Sequence, residues 1–176
     1  MERGEYMDKN IRLSGLIHES LVNGPGIRRV FFSQGCKHNC HGCFNVETHS
    51  FNGGYLFNMD ELLSDIKENP MIKGVTFSGG DPFEQSDKFS YMARELKKLN
   101  VNIWCYTGYR FEDLIDDEKE KYHWGELLRN IDVLIDGKFD KNRASEDLKY
   151  RGSDNQRIID VKKSLEKKEL ILFHIE

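Results

Sequence analysis

Residues 35–45 read GCKHNCHGCFN and directly follow IRRVFFSQ, residues 27–34. The second segment is rich in β-branched and aromatic residues, which predicts a strand that ends where the cysteine loop begins. The loop holds three of the four cysteines of the chain, with three and then two residues between them. Cysteines grouped in this way indicate a metal centre, a redox site or a disulfide cluster.

Length and composition narrow the class of protein. The chain has 176 residues, which predicts a single domain over 1–176, and 38% hydrophobic with 32% charged residues is typical of a folded globular protein. The net charge is 26 minus 30, or −4, so no basic field points to nucleic acid.

Targeting signals are not apparent in the sequence. No apolar run approaches the roughly 20 residues of a membrane helix, and the N-terminal MERGEYMDKN is polar, unlike a signal peptide. We therefore expect a cytoplasmic protein without a membrane partner. Disulfides are rare in the cytoplasm, so the clustered thiols favour metal binding or redox chemistry.

Strand-like and helix-like segments alternate along the chain. Strands are predicted over 27–34, 74–78, 101–107 and 131–137. Helices are predicted over 59–68 with Asn58 as the N-cap, over 84–99, and once or twice within 111–130. A polar loop is predicted over 138–155, followed by a short strand in QRIID, a helix in VKKSLEKK and a terminal strand in ELILFHI.

This order predicts an α/β fold of parallel strands joined by crossover helices. Functional sites of such folds lie beyond the C-terminal ends of the strands. Three unusual loops come directly after predicted strands: GCKHNCHGCFN, SGGDP at 78–82 and DGKF at 136–139. We therefore expect these three loops to meet at one edge of the sheet.

The cysteine spacing alone leaves several metal centres open. The two linkers reach at most about 14 Å and 10 Å, so they can wrap one compact iron–sulfur cluster. A zinc site of the Cys₃His type would take its fourth ligand from His38, His41 or His49, although zinc sites usually contain paired C-x₂-C units. Simple buried thiols are the third possibility. The fourth cysteine, Cys105, lies inside a strand pattern and is expected to pack in the core.

The C-x₃-C-x₂-C spacing resembles the signature of the radical S-adenosylmethionine (SAM) superfamily. VNGPGIR at 22–28 resembles an element of glycyl-radical activases, and SGGDP resembles the superfamily's GGEP loop. The whole set of motifs, over roughly residues 15–160, resembles the activating proteins of anaerobic, class III ribonucleoside-triphosphate reductases. The further motifs in this set are CFN at 43–45, WCYTGY at 104–109, DVLIDGKF at 132–139 and YRGSDNQRIID at 150–160.

The resemblance implies a [4Fe–4S] cluster held by Cys36, Cys40 and Cys43, with SAM on the fourth, open iron. It also implies that SAM contacts Gly42, Cys43, Phe44, Asn45, Ser78, Gly79, Gly80, Asp81, Asp136 and Lys138. The glycine loop would meet SAM through main-chain carbonyls, and Asp81 stands where the superfamily more often has Glu. No side chain is nominated as an acid or base, because the cluster and SAM carry the chemistry.

The implied activity is reductive cleavage of SAM, after which the 5′-deoxyadenosyl radical abstracts hydrogen from a glycine of the partner reductase. Reduced flavodoxin is the implied electron donor. The implied fold is an incomplete, open (βα) barrel of about five or six strands, since a full barrel typically takes about 250 residues. The segment 151–157, RGSDNQR, would contact the reductase or close the pocket, and a capped turn over 153–155 explains it equally well.

Two alternatives are kept. The first is an activase of another glycyl-radical enzyme, such as pyruvate formate-lyase. The second is a zinc-binding interaction module without catalysis, in which SGGDP and VNGPG would have no role.

Overall fold

A computed structural model describes residues 8–116 and 123–175, which form a mixed α/β fold with one seven-stranded sheet. Along the sheet the strand order is β3-β1-β2-β4-β5-β6-β7. The strands are β1 (Asn10–Ser20), β2 (Arg28–Ser33), β3 (Tyr55–Asn58), β4 (Gly74–Gly79), β5 (Asn102–Tyr106), β6 (Val133–Asp136) and β7 (Arg157–Asp160).

The centre of the sheet is parallel and its flanks are antiparallel. Strands β2, β4, β5 and β6 run in one direction, whereas β1, β3 and β7 pair antiparallel with their neighbours. The parallel arrangement predicted for the four central strands is therefore confirmed. The curvature of an incomplete open barrel stays a prediction, as does the single-domain boundary of 1–176.

Five α-helices connect or flank these strands in the described part of the chain. They are α1 (Met59–Glu68), α2 (Ser86–Lys98), α3 (Phe111–Leu114), α4 (Trp124–Arg129) and α5 (Val161–Lys167). The predicted N-cap of α1 is present, because the side chain of Asn58 accepts hydrogen bonds from the main-chain N–H groups of Asp60 and Glu61. None of these helices is both long and apolar enough to cross a bilayer.

Several element boundaries differ from the sequence prediction. The helix predicted from Glu84 begins as a 3₁₀ turn over Pro82–Gln85, because the Asp81 side chain caps that turn. The helical segment predicted within 111–130 contains α3 and α4, while its residues 117–122 lie outside the described residues. The predicted terminal strand is wrong: ELILFHI contributes only one isolated bridge, between Leu172 and Ile159.

The two faces of the sheet carry different cores. Successive side chains of a strand point to opposite faces, so Ile103 and Cys105 of β5 join the larger core, which includes residues of α1, α2 and α4. Trp104, between them, joins a smaller cluster with Val133, Ile135 and Ile158. Residues of the C-terminal segment, including Phe173 at 5.5 Å between ring centroids from Trp104, cover that smaller cluster. ELILFHI thus packs over this cluster and also lies along β7, where the Asp160 N–H donates to the Ile171 carbonyl at 2.9 Å and the Phe173 N–H donates to the Ile158 carbonyl at 2.8 Å.

Arg28, the first residue of β2, is the main polar group of this second face. It is only 1% exposed, and burial lowers the pKa of its guanidinium to about 10, so it is still charged at neutral pH. Its Nε donates to Thr76 Oγ1 at 2.8 Å, and its Nη2 donates to the Val75 carbonyl at 2.7 Å. Its Nη1 donates to the carbonyl of Pro25 at 3.2 Å and to Oδ1 of Asn102 at 3.1 Å. One side chain therefore joins three parallel strands to the VNGPG segment.

We predict that Arg28→Met lowers the free energy of unfolding by about 3 kcal/mol, because it leaves several buried acceptors without a donor. Urea unfolding of the metal-free protein, followed by circular dichroism, measures this loss. Arg94→Met is the matched control: Arg94 pairs with Glu126 at the surface, where an ion pair contributes less than about 1 kcal/mol. Equal losses for the two variants would contradict the role assigned to Arg28.

Candidate functional site

A cavity of about 360 Å³ lies at the C-terminal ends of the parallel strands. This volume falls within the roughly 300–1,000 Å³ of small-molecule sites. Its wall includes 78–80 at the end of β4, 106–108 at the end of β5, and Gly137 with Phe139 after β6. All three cysteines of the predicted ligand loop also contribute to the wall. The three loops that were expected to share one edge of the sheet therefore meet here.

The three cavity cysteines are half-buried free thiols. Burial raises the pKa of the Cys36 thiol to about 11 and also raises that of Cys40. In both cases a main-chain hydrogen bond acts in the opposite direction, from His38 to Cys36 and from Phe139 to Cys40. The main-chain N–H of Asn45 donates to the sulfur of Cys43 at 3.4 Å. The hydrogen bonds to Cys36 and Cys40 offset only part of the effect of burial, so the pKa values of both thiols stay raised.

The chemistry of the donor set fits a cluster, because iron–sulfur clusters are held by cysteine thiolates and three free thiols line one cavity. Among residues 8–116 and 123–175, no three His, Cys, Asp or Glu side chains are grouped closely enough to hold a metal ion, so the thiols do not form a ligand set that is already closed around one ion. Of the candidate zinc ligands, His38 is already bonded through Nε2 to Asp81 at 2.7 Å, His41 is exposed and His49 lies in the cavity wall.

Cys105 lies apart from this group. It is fully buried in the larger core, and burial raises its pKa well above the ordinary value for a thiol. This placement agrees with the packing role expected from the sequence.

Glycines allow the SGGDP loop to lie directly on the start of the cysteine loop. The N–H of Gly80 donates to the Ser33 carbonyl at 2.7 Å, and the N–H of Asp81 donates to the Gly35 carbonyl at 2.9 Å. A Cβ on Gly80 would overlap the carbonyl oxygen of Gly35. Only a residue without a side chain permits this main-chain contact, which places Cys36, the first cysteine of the loop, beside the end of β4.

The carboxylate of Asp81 points into the protein rather than into the cavity. It is fully buried and accepts hydrogen bonds from the Thr107 hydroxyl at 2.9 Å and from the N–H groups of Gly108 and Phe83 at 3.0 Å. Asp81 therefore shapes the glycine loop, whose residues 78–80 form the cavity wall. A direct contact of the Asp81 loop with SAM stays a prediction.

Asp136 and Lys138 lie near the cavity but outside its described wall. Asp136 is fully buried, accepts from the N–H of Phe111 at 2.8 Å and is ion-paired with Arg157. Lys138 is exposed, and its main-chain carbonyl accepts from the Asn155 amide at 2.8 Å. Their predicted contacts with SAM therefore remain untested, and the bonds of Asp136 show that it also holds β6 to β7.

Two phenylalanines form an apolar side of the cavity. Phe44 is 75% exposed, and its ring centroid lies 4.9 Å from that of Phe139. Gly152 lies against both rings, since a Cβ there would come within 3.0 Å of Phe139 and 3.4 Å of Phe44. Asn45 also contributes to the wall and donates to the Gly79 carbonyl at 3.5 Å, whereas Gly42 is exposed and packs beside Lys141.

The segment that carries YRGSDNQR closes the remaining side of the cavity. Tyr150, Arg151, Gly152 and Gln156 all belong to the wall. Gln156 folds this segment back, because its Oε1 accepts from the N–H of Gly152 at 2.9 Å and its Nε2 donates to the Gly137 carbonyl at 3.0 Å. The segment 151–157 thus contributes to the cavity wall, and it also contains the turn expected over 153–155, where the N–H of Gln156 donates to the Ser153 carbonyl at 3.1 Å.

Some wall residues were not identified from the sequence. Tyr106 donates its hydroxyl to the Tyr150 carbonyl at 2.6 Å, and Val22 with Asn23 forms part of the rim. Their positions within motifs could have identified these residues as part of the site. Tyr106 lies in WCYTGY, while Val22 and Asn23 begin VNGPGIR. The Asn23 carbonyl accepts from Thr76 Oγ1 at 2.7 Å, so the same cluster that holds Arg28 positions this rim.

Comparisons with known proteins agree with this arrangement. A family model described as a 4Fe-4S single cluster domain matches residues 22–159. The chain is 41% identical over 144 residues to the anaerobic ribonucleoside-triphosphate reductase-activating protein of Enterobacteria phage T4, covering 78% of this chain and 86% of the relative. Proteins of the same name from Vibrio cholerae and Escherichia coli K12 are 35% and 31% identical over 145 residues, covering 77% of this chain and 89% and 90% of the relatives.

We predict that Gly80→Ala displaces the cysteine loop, because the new methyl group would meet the main chain of residues 33–35, which cannot move aside cheaply. Overpacking of this kind lowers the free energy of unfolding by about 1–3 kcal/mol. In the metal-free protein, Cys36 should react faster with a maleimide, as measured by peptide mass spectrometry. Gly15→Ala is the control, since nothing lies within 4 Å of a Cβ at that position. Unchanged labelling of Gly80→Ala would contradict the contact.

Proposed function

Because the chain belongs to the family of anaerobic ribonucleoside-triphosphate reductase-activating proteins with a 4Fe-4S single cluster domain, we propose that it activates such a reductase by cleaving SAM. The observation that carries the proposal is the cavity in which three free cysteines meet the glycine-rich end of β4 and the ends of β5 and β6. This arrangement combines ligands for an iron–sulfur cluster with space for a small cosubstrate.

Cys36, Cys40 and Cys43 would hold the [4Fe–4S] cluster and leave one iron for the amino and carboxylate groups of SAM. When bound and reduced, such a cluster supplies the electron that cleaves SAM into methionine and a 5′-deoxyadenosyl radical. Burial raises the pKa values of the Cys36 and Cys40 thiols, and main-chain hydrogen bonds from His38 and Phe139 offset only part of that rise. Ligand binding requires loss of the thiol protons, so binding of the cluster is coupled to proton release.

The remaining wall residues orient SAM and exclude water. Main-chain carbonyls of 78–80, which belong to the cavity wall, would meet the SAM amino group, and the absence of side chains at Gly79 and Gly80 would permit that approach. The Phe44–Phe139 side offers an apolar surface to the adenine. The closed segment with Tyr150 and Gln156 shields the other side of the cavity from solvent.

The proposed substrate of the radical is a Cα–H of a glycine in the reductase. Exposed apolar side chains stand at the rim of the cavity, with Val22 76% and Phe44 75% exposed. A glycine-bearing loop can reach the cavity between them, and a sheet that curves as an incomplete barrel would leave one side open to so large a partner. We further propose that reduced flavodoxin donates the electron and that the protein acts in the cytoplasm.

We predict that anaerobic reconstitution loads about four irons and four sulfides per chain, and that the loaded protein releases 5′-deoxyadenosine from SAM only with a reductant. Iron, sulfide and product analyses measure these values. Cys36→Ala, Cys40→Ala and Cys43→Ala should each reduce cleavage to background, whereas Cys105→Ala, the control, should retain it. Stoichiometric zinc without SAM cleavage would instead support the interaction module.

We predict a glycyl-radical signal in electron paramagnetic resonance (EPR) when the loaded protein, SAM and a reductant are mixed with an anaerobic ribonucleoside-triphosphate reductase. Replacement of the radical-bearing glycine of that reductase by alanine should remove the signal. Pyruvate formate-lyase serves as the competing substrate. A signal on pyruvate formate-lyase alone would transfer the assignment to the other activase class.

A further inference from the structure

One tyrosine of the cavity wall has a main-chain conformation that bulky residues seldom adopt. Tyr150 has a φ of 64°, in the left-handed region. A side chain crowds the following carbonyl in that region, so the conformation persists only where the surroundings enforce it. Four other non-glycine residues in the described part of the chain have a positive φ, and none of them belongs to the wall. The strained tyrosine therefore belongs to the cavity itself.

Two contacts with β5 hold Tyr150 in place. The hydroxyl of Tyr106 donates to the Tyr150 carbonyl at 2.6 Å. The Tyr150 ring packs edge-on against Trp104, with 5.2 Å between the ring centroids. Trp104 and Tyr106 are two residues apart on one strand, so their side chains lie on the same face of the sheet. Both contacts therefore come from one strand, and Trp104 is itself only 1% exposed.

The chain that follows Tyr150 packs against the apolar side of the cavity. Two residues later, Gly152 lies against the rings of Phe139 and Phe44. The N–H of Gly152 donates to Oε1 of Gln156 at 2.9 Å, which keeps the segment folded back. The wall segment 150–152 thus connects β5 to the two phenylalanines. A change of φ at Tyr150 would move Gly152 relative to these rings, so the width of the cavity depends on that angle.

We propose that Tyr106 is a positioning residue for SAM, whose hydroxyl holds Tyr150 in the left-handed conformation and so keeps the wall segment 150–152 at the spacing that SAM requires. The inference rests on the proposed function. A wall that is ordered before SAM arrives loses less conformational entropy when SAM binds. Without the hydroxyl, Tyr150 can relax to an ordinary φ, and the wall must be ordered again each time SAM binds.

The test is equilibrium dialysis of radiolabelled SAM against the reconstituted protein without a reductant, so that SAM stays intact. Tyr106→Phe removes only the hydroxyl and should raise the Kd for SAM about tenfold, with the iron content unchanged. When a reductant is added, the KM for SAM should rise by the same factor while kcat for cleavage stays within about twofold. Tyr91→Phe is the matched control, because the Tyr91 hydroxyl donates to Asp60 at 2.5 Å on the surface.

A pair of substitutions at Tyr150 separates the main-chain conformation from the ring contact. Tyr150→Gly and Tyr150→Ala both lose the contact with Trp104, but glycine adopts a positive φ without steric cost. Tyr150→Gly should therefore bind SAM more tightly than Tyr150→Ala does. Equal Kd values for these two variants would contradict the role of the left-handed conformation.

Amide hydrogen exchange of the metal-free protein gives a measurement that does not depend on cluster loading. Peptides that cover 150–152 should exchange about tenfold faster in Tyr106→Phe than in the wild type, and no faster in Tyr91→Phe. Unchanged exchange, an unchanged Kd or a loss of iron in Tyr106→Phe would overturn the positioning role. If the wild type loads the cluster and cleaves SAM, the proposed function stands in each of these cases. A wild-type protein that binds no cluster would refute the function itself.

Discussion

Main-chain contact between Gly80 and residues 33–35 is the constraint on which the rest of the site depends. It joins the end of β4 to the end of β2 without a side chain between them, through the bonds Gly80 N to Ser33 O and Asp81 N to Gly35 O. Cys36 follows Gly35 directly, so the position of the first thiol is set by backbone geometry. The other groups of the site, including the His38–Asp81 pair, are arranged around that fixed point.

Buried charged side chains lie at both ends of the parallel strands. Arg28 lies at the start of β2 and is satisfied by carbonyls, a hydroxyl and an amide. Asp81 and Asp136 lie near the ends of β4 and β6, where N–H groups, a hydroxyl and the side chains of His38 and Arg157 surround them. A buried charge is tolerated only with such complete hydrogen bonding. Arg28 secures the scaffold, and Asp81 contacts His38 of the cysteine loop.

Local signals in the sequence predicted much of the framework. Asn58 before an amphipathic run predicted the start of α1, and the alternation of strands and helices predicted that three loops would share one edge of the sheet. The strand β1 was missed because its pairing with β2 contains register shifts, between Leu13 and Gly15 and again after Ile17, which break the regular alternation of side chains. The orientation of the Asp81 side chain could not be predicted from the sequence either. It depends on Thr107 and Gly108, which come close to Asp81 only after folding.

The order in which the wall residues occur along the chain has a consequence for biosynthesis. The three cysteines leave the ribosome early, whereas Phe139, which donates to the sulfur of Cys40, and Gln156, which folds the closing segment, leave it much later. A nascent chain therefore carries its thiols before it carries the groups that bury and orient them. The cavity around the thiols is therefore complete only after the segments that follow β6 have been synthesised.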